Sequence, residues 1–133
     1  MVCGSIGYGG VDKIRQMYTI LRRKGFEIVD HLVHKGMDYS DVRDFRNKKE
    51  LSQQIVSHDL QYIEKADVII VVANGPSYGT GIEMYIAKNL NKKVILLAND
   101  PVPTPWPVNF SDYITRNEDG LITLLEQLRR DTN

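Results

Sequence analysis

Two periods of apolar spacing alternate along this chain. Residues 1–6 are short and apolar, and Gly7, Tyr8, Gly9 and Gly10 interrupt them. Val11, Ile14, Met17, Tyr18 and Leu21 then recur at helical spacing, with Gly25 where a helix C-cap glycine belongs. Residues 26–33 read as a second strand. Residues 35–47 are polar and lack a period, a long loop of the kind that often lies over a site. Leu51, Ile55, Leu60 and Ile63 predict a helix over 48–65, with a bend near His58. Residues 67–73 form a β-branched run, apolar from Val68 onward and too short for a helix, as central parallel strands do when both faces are covered. A loop over 74–81 leads into a helix with Ile82, Ile86 and Leu90 on one face, and 93–98 is another buried strand. Pro101, Pro103, Pro105 and Pro107 predict a stiff, extended segment without regular structure. A short strand at Tyr113 and Ile114 and an amphipathic helix through Leu121, Leu124, Leu125 and Leu128 follow.

This alternation predicts one α/β domain over residues 1–133. Its core is a doubly wound, five-stranded parallel sheet in the order 2-1-3-4-5, flavodoxin- or Rossmann-like, with helices on both faces. Ligands bind such sheets at the carboxyl ends of the strands, where the order reverses. Two loops leave that edge from neighbouring central strands: residues 4–10 and 74–81. These are the places to look for chemistry.

Composition narrows the choice of partner. The chain has 17 basic and 17 acidic residues, so no net field draws it to nucleic acid or to a membrane surface. A small ligand is the better expectation. No apolar run approaches the ~18 residues of a membrane span. The one cysteine, Cys3, has no internal partner for a disulfide and reads as a small buried hydrophobe. A reducing, cytoplasmic location is expected.

The strongest chemical signal is Gly79-Thr80-Gly81-Ile82-Glu83 after the apolar strand. The glycines let backbone approach a ligand, and the helix start offers N–H groups to an anion. Glu83 is expected in the first turn, where the dipole favours the charged form that a carboxylate nucleophile requires. An isolated glutamate there would merely complement the dipole. The loop lacks the lysine of a Walker motif and the spacing of a dinucleotide fingerprint, so neither reading stands.

Asp59, within the preceding helix, is the second signal. Cleaving a glycosidic bond takes one carboxylate at the anomeric carbon and one acid for the leaving group. Taken alone, a mid-helix aspartate is ordinarily solvated. Ser5, Gly7, Tyr8, Gly9 and Gly10 suit a phosphate cradle of backbone N–H groups, or equally a tight strand-to-helix turn. His31 and His34 lack companions for a zinc site, and no metal is expected. Trp106, among prolines, suits packing or a subunit contact better than base stacking.

In combination these pieces resemble the 2′-deoxynucleoside 5′-phosphate N-hydrolases, within the nucleoside 2-deoxyribosyltransferase superfamily. The resemblance rests on Cys3-Gly4-Ser5-Ile6, Leu21-Arg22-Arg23, His58-Asp59-Leu60 through Ala66-Asp67-Val68, and Pro76-Ser77 through Glu83. It runs to about Ala98. It implies that Glu83 attacks the anomeric carbon and that Asp59 serves base departure and water activation. Ser5, Ser77 and the backbone around Gly79 would hold the 5′-phosphate. The transferase branch carries an acidic residue at the position of Ser77; a hydroxyl there accepts phosphate where an acid would repel it. The family's first-strand aromatic falls at Met1, which leaves Tyr8 as a candidate pocket ring. The family's phosphate-loop arginine has no counterpart in this glycine-rich loop.

The resemblance thus implies a hydrolase releasing free base and (deoxy)ribose 5-phosphate from a nucleoside 5′-monophosphate, without cofactor, as a homodimer. The competing readings are a nucleoside 2-deoxyribosyltransferase, a ribonucleotide-specific N-hydrolase, and a non-catalytic nucleotide-sensing module.

Overall fold

The alternating pattern folds, in a computed structural model that describes residues 1–7 and 9–132, into a parallel sheet with helices on both faces. The elements run β1 (Val2–Cys3), α1 (Gly10–Arg23), α2 (Lys49–Lys65), β2 (Val68–Val72), α3 (Tyr78–Asn89), β3 (Lys93–Leu97), α4 (Trp106–Asn109), β4 (Tyr113–Thr115) and α5 (Glu118–Asp131). The strands lie in chain order, β1-β2-β3-β4, all parallel. Cys3 sits opposite Val71, Val71 opposite Leu96, and Leu96 opposite Ile114.

Because successive strand side chains point to opposite faces, the sheet divides the core in two. Val2, Ile70, Ile95 and Leu97 pack against Ile14 and Tyr18 of α1 and Leu121 of α5. Cys3, Ile69, Val71, Val94 and Leu96 pack on the other side with Ile63 of α2 and Met84 and Ala87 of α3. That second face carries the candidate chemistry.

The expected five-stranded sheet in the order 2-1-3-4-5 has four strands among the described residues, because residues 26–33 do not join the ladder beside β1. The outer edge of β1 is satisfied by a side chain instead. The hydroxyl of Tyr18 accepts from the Val2 amide at 2.9 Å and meets the Val29 carbonyl at 3.0 Å. It thus stands between β1 and the segment that would have paired with it. Phe26 and Ile28 still pack on the α1 side of the core, so the apolar pattern was satisfied without strand hydrogen bonds.

Two other expectations are corrected. Helix α3 starts at Tyr78, so Gly79, Thr80 and Gly81 are helical rather than part of the loop. The proline segment contains a short helix, α4, whose Pro107 falls at the helix start, where a missing N–H costs nothing. Helix α1 ends as expected at Gly25, with φ 79°, where Phe26 donates back to the Leu21 carbonyl at 3.1 Å. No described helix is long and apolar enough to cross a membrane.

Candidate active site

Helix α3 brings Glu83 to the sheet. Ser77 caps the helix, its hydroxyl accepting from the Thr80 amide at 3.2 Å and from the Thr80 hydroxyl at 3.1 Å. Met84 and Ala87 bury one stripe of α3 against β2 and β3, which sets the rotation of the helix. Glu83 therefore lies past the first turn rather than within it, beyond the strongest reach of the dipole.

Its surroundings work against ionisation. Burial, and then the negative charge of Asp59, push the Glu83 carboxyl up to about 8. One group opposes this: the thiol of Cys3, at the carboxyl end of β1, donates to Glu83 Oε2 at 3.5 Å. Cys3 is fully buried, as its apolar strand requires, and burial together with Glu83 keeps it a thiol. A packing role alone does not describe it.

Asp59 comes from α2, which packs against α3. Leu51, Ile55, Asp59 and Ile63 recur every four residues, and Ile55 and Ile63 are buried. An aspartate thus occupies a position in the apolar stripe of the helix, which is why it is not a solvated surface group. Its Oδ1 is buried with no hydrogen-bond partner among the described residues. Burial raises its carboxyl to about 7.

A neighbouring network anchors α2. His58 Nε2 donates to the His31 carbonyl at 2.8 Å, while His31 Nδ1 meets the Tyr18 hydroxyl at 2.9 Å. Burial drives the His31 imidazole down to about 4, so it stays neutral.

Residues 35–47 supply an aromatic that packs onto the core. Tyr39 has φ 35°, packs edge-on against Phe45 at 5.6 Å and contacts the α1 side of the core. Its phenol is pushed up to about 12, by burial first and then by the charges of Glu83, Asp59 and Cys3.

The β1–α1 loop is partly closed to ligand. The Ser5 amide donates to Asn74 Oδ1 at 2.8 Å, and the amides of Gly10 and Val11 bond inward to Gly7 and Ile6. Gly9 has the left-handed φ of 85° that begins α1. Tyr8, the candidate pocket ring, lies outside the described residues. Glu83, Asp59 and Cys3 thus form one cluster, Tyr39 is near it in charge, and Ser5 and Ser77 head the two flanking loops.

Sequence reasoning missed the contacts of Cys3 with Glu83 and of Asn74 with Ser5. The four-residue spacing that places Asp59 in an apolar stripe was legible. Nothing in residues 35–47 singles out Tyr39.

Comparison with known proteins now bears on this arrangement. A profile of the nucleoside 2-deoxyribosyltransferase family matches residues 3–126, well past Ala98 and through the proline segment. The chain is 28% identical over 95 residues to the 5-hydroxymethyl-dUMP N-hydrolase of Danio rerio, covering 71% of this chain and 64% of that protein. It is 30% identical over 97 residues to the enzyme of the same name from Esox lucius, covering 71% and 65%. With the human 5-hydroxymethyl-dUMP N-hydrolase it shares 27% over 97 residues, covering 71% and 53%. The matched stretch spans less than two thirds of each relative's length.

Proposed function

This chain belongs to the nucleoside 2-deoxyribosyltransferase family, and from that premise we propose that it hydrolyses the N-glycosidic bond of a (2′-deoxy)nucleoside 5′-monophosphate. The observation that carries this reading is the pair of partly buried carboxyls, Glu83 on α3 and Asp59 on α2, with titrations raised to about 8 and about 7. Such a pair holds a single proton near neutrality, which leaves one carboxylate and one carboxylic acid.

Because Glu83 has the higher titration, the shared proton rests on it in the free protein; in the proposed reaction that proton passes to Asp59 once substrate is bound, and the ionised Glu83 attacks C1′. An O–C1′ bond forms, the C1′–N bond breaks, and its electron pair leaves with the base, which takes the proton of Asp59. Water then attacks C1′ and gives a proton to the Asp59 carboxylate. The O–C1′ bond breaks, its pair returns to Glu83, and sugar 5-phosphate is released with retention. The Cys3 hydrogen bond favours the charged form of Glu83 and holds Oε2, leaving Oε1 for attack. The unpartnered Asp59 Oδ1 suits contact with substrate or water.

The 5′-phosphate is assigned to the ends of the two loops. Ser5 and Ser77 supply hydroxyls and Gly7, Gly9 and Gly79 backbone N–H groups, with the start of α3 favouring an anion; the Gly10 amide, expected in this cradle, is instead bonded to the Gly7 carbonyl and shapes the loop. The relatives' printed name, a hydrolase of a deoxynucleoside 5′-monophosphate, supports this choice over an unphosphorylated nucleoside. A homodimer is also proposed. Tyr78, Ile82 and Tyr85 of α3 and Trp106 and Val108 of α4 are exposed, and α3 contacts α4.

The deciding experiment incubates the pure protein with ribo- and deoxyribonucleoside 5′-monophosphates and resolves free base. Base release that Glu83→Gln abolishes is expected. Release only when an acceptor base is added, with exchange of one base for another, would replace hydrolysis by transfer. Tight binding of a monophosphate with no release or exchange would make the chain a sensor.

A further inference from the structure

The loop that leaves β1 is held by one side chain from the far side of the site. Pairing between β1 and β2 ends at Cys3 and Val71, so from Ser5 onward the β1–α1 loop has no ladder to bind it. Asn74, two residues past the end of β2, takes that place. Its Oδ1 accepts from the Ser5 amide at 2.8 Å, and its Nδ2 donates to the Ser5 carbonyl at 3.1 Å and the Gly10 carbonyl at 3.2 Å. One carboxamide thus grips both ends of residues 5–10 and uses three of its four hydrogen-bonding positions.

The glycines of this loop follow from that grip. A Cβ on Gly10 would lie 1.9 Å from the Ser5 carbonyl oxygen and 3.0 Å from Asn74 Nδ2. A Cβ on Gly4 would lie 3.1 Å from both Asn74 Oδ1 and the Val72 carbonyl oxygen. Asn74 itself is set by a tight turn, its amide donating to the Val72 carbonyl at 2.9 Å, with Gly75 at φ 135° directly after it. The clamp therefore joins the two loops that flank Glu83 into one body.

We propose that Asn74 is the positioning residue for recognition of the 5′-phosphate, locking the Ser5–Gly10 loop in register with the start of α3 so that both present their donors to one anion. This inference rests on the reading of the chain as a nucleotide N-glycosidase. A preformed cradle needs no ordering of glycine-rich backbone when the ligand arrives, which matters most in a loop with so many glycines. The residue acts through Ser5 and the loop backbone and does not itself reach the sugar.

The test uses the whole chain with 2-deoxyribose 5-phosphate and 2-deoxyribose as probes, followed by calorimetry and nuclear magnetic resonance. Asn74→Asp keeps the shape and the acceptor for the Ser5 amide, but sets carboxylate oxygen against two carbonyls. Asn74→Ala removes all three bonds. Each variant is expected to lose at least about tenfold in affinity for the sugar phosphate. Monophosphate turnover should show the loss in KM, with kcat nearly kept. In the wild type, the sugar phosphate should shift the Asn74 carboxamide resonances together with the amides of Ile6, Gly7 and Gly9.

Wild-type affinity for the sugar phosphate in a folded Asn74→Asp protein would overturn the proposal. So would an equal loss for phosphorylated and unphosphorylated sugar, or the absence of any shift at Asn74 in the wild type. If no monophosphate releases base but Asn74→Asp still abolishes sugar-phosphate binding, the glycosidase reading falls and the role of Asn74 stands.

Discussion

The thiol of Cys3 donates to Oε2 of Glu83 across 3.5 Å, joining the end of β1 to the second turn of α3. This contact opposes the two influences that keep a proton on Glu83, its burial and the charge of Asp59. Its removal has a defined effect. Cys3→Ala should move the acidic limb of the kcat/KM profile upward and slow turnover at neutral pH by about fivefold, as expected for losing about 1 kcal/mol of hydrogen bonding to a carboxylate. Cys3→Ser should restore most of it. Titration of the Glu83 carboxyl by nuclear magnetic resonance checks the same shift without substrate, and an unmoved titration in Cys3→Ala would exclude the role.

The carboxyl pair also sets the response to pH. With apparent titrations at about 7 and about 8, the singly protonated pair is most populated between them. Base release should rise through about pH 7 and fall above about pH 8. Asp59→Asn should abolish the bell shape and lower the rate by about 100-fold or more, which initial rates across pH would show.

Stability should follow the opposite trend to ionisation. In the unfolded chain these carboxyls release protons at ordinary values of 3.8 and 4.5, whereas the folded protein holds them to about 7 and 8. The folded state thus binds more protons in between, and stability declines as pH rises to about 8. His31, held at about 4 against an ordinary 6.5, acts in reverse: its contribution is complete above 6.5 and is lost as pH falls through about 4. The decline is therefore clearest between about pH 6.5 and 8. Glu83→Gln should be more stable than the wild type at pH 8.5, by roughly 4–5 kcal/mol, and within about 1 kcal/mol of it at pH 5. Thermal melts of both proteins across pH would read this.

Gly79 and Gly81 separate packing from binding. Both lie inside α3, and a Cβ on either meets nothing closer than 3.9 Å. Folding alone would favour alanine at each by about 0.5–1 kcal/mol. Gly79, four residues before Glu83, shares its helix face; Gly81 does not. Gly81→Ala should raise the melting temperature and keep activity. Gly79→Ala should raise it equally while increasing KM for the monophosphate, and paired melts and kinetics would tell them apart.

Tyr18→Phe tests the edge of the sheet. It leaves the buried Val2 amide without the acceptor now at 2.9 Å and removes the hydroxyl beside Val29 and His31. A loss of about 2 kcal/mol is expected. Denaturant unfolding should show it with an unchanged slope.

The exposed face of α3 and α4 predicts an oligomer. Ile82 is 59% exposed and Trp106, stacked on Phe110, is 70% exposed. Ile82→Glu with Trp106→Ala should convert a sedimenting dimer to monomer. A wild type that sediments only as monomer would count against the interface.

Local pattern reached far in this chain because helices and buried strands are written in short-range spacing. The apolar run at β2, the stripe of α1 through Leu21, and Gly25 at its end specify their elements with little help from the rest of the molecule. Glu83 and Asp59 were picked out by their place in a series of family-like motifs, since a first-turn glutamate and a mid-helix aspartate each have an ordinary explanation when taken alone. Tertiary structure decided everything that depends on distant segments meeting. Residues 26–33 had strand-like spacing, yet the Tyr18 hydroxyl, brought from α1, occupies the hydrogen-bonding edge they needed. Cys3 became a donor to Glu83, and Asn74 a clamp on Ser5, only through contacts 80 and 69 residues apart in the chain. Spacing along a sequence encodes which face a side chain takes on its own element; which group it meets there depends on how the elements pack.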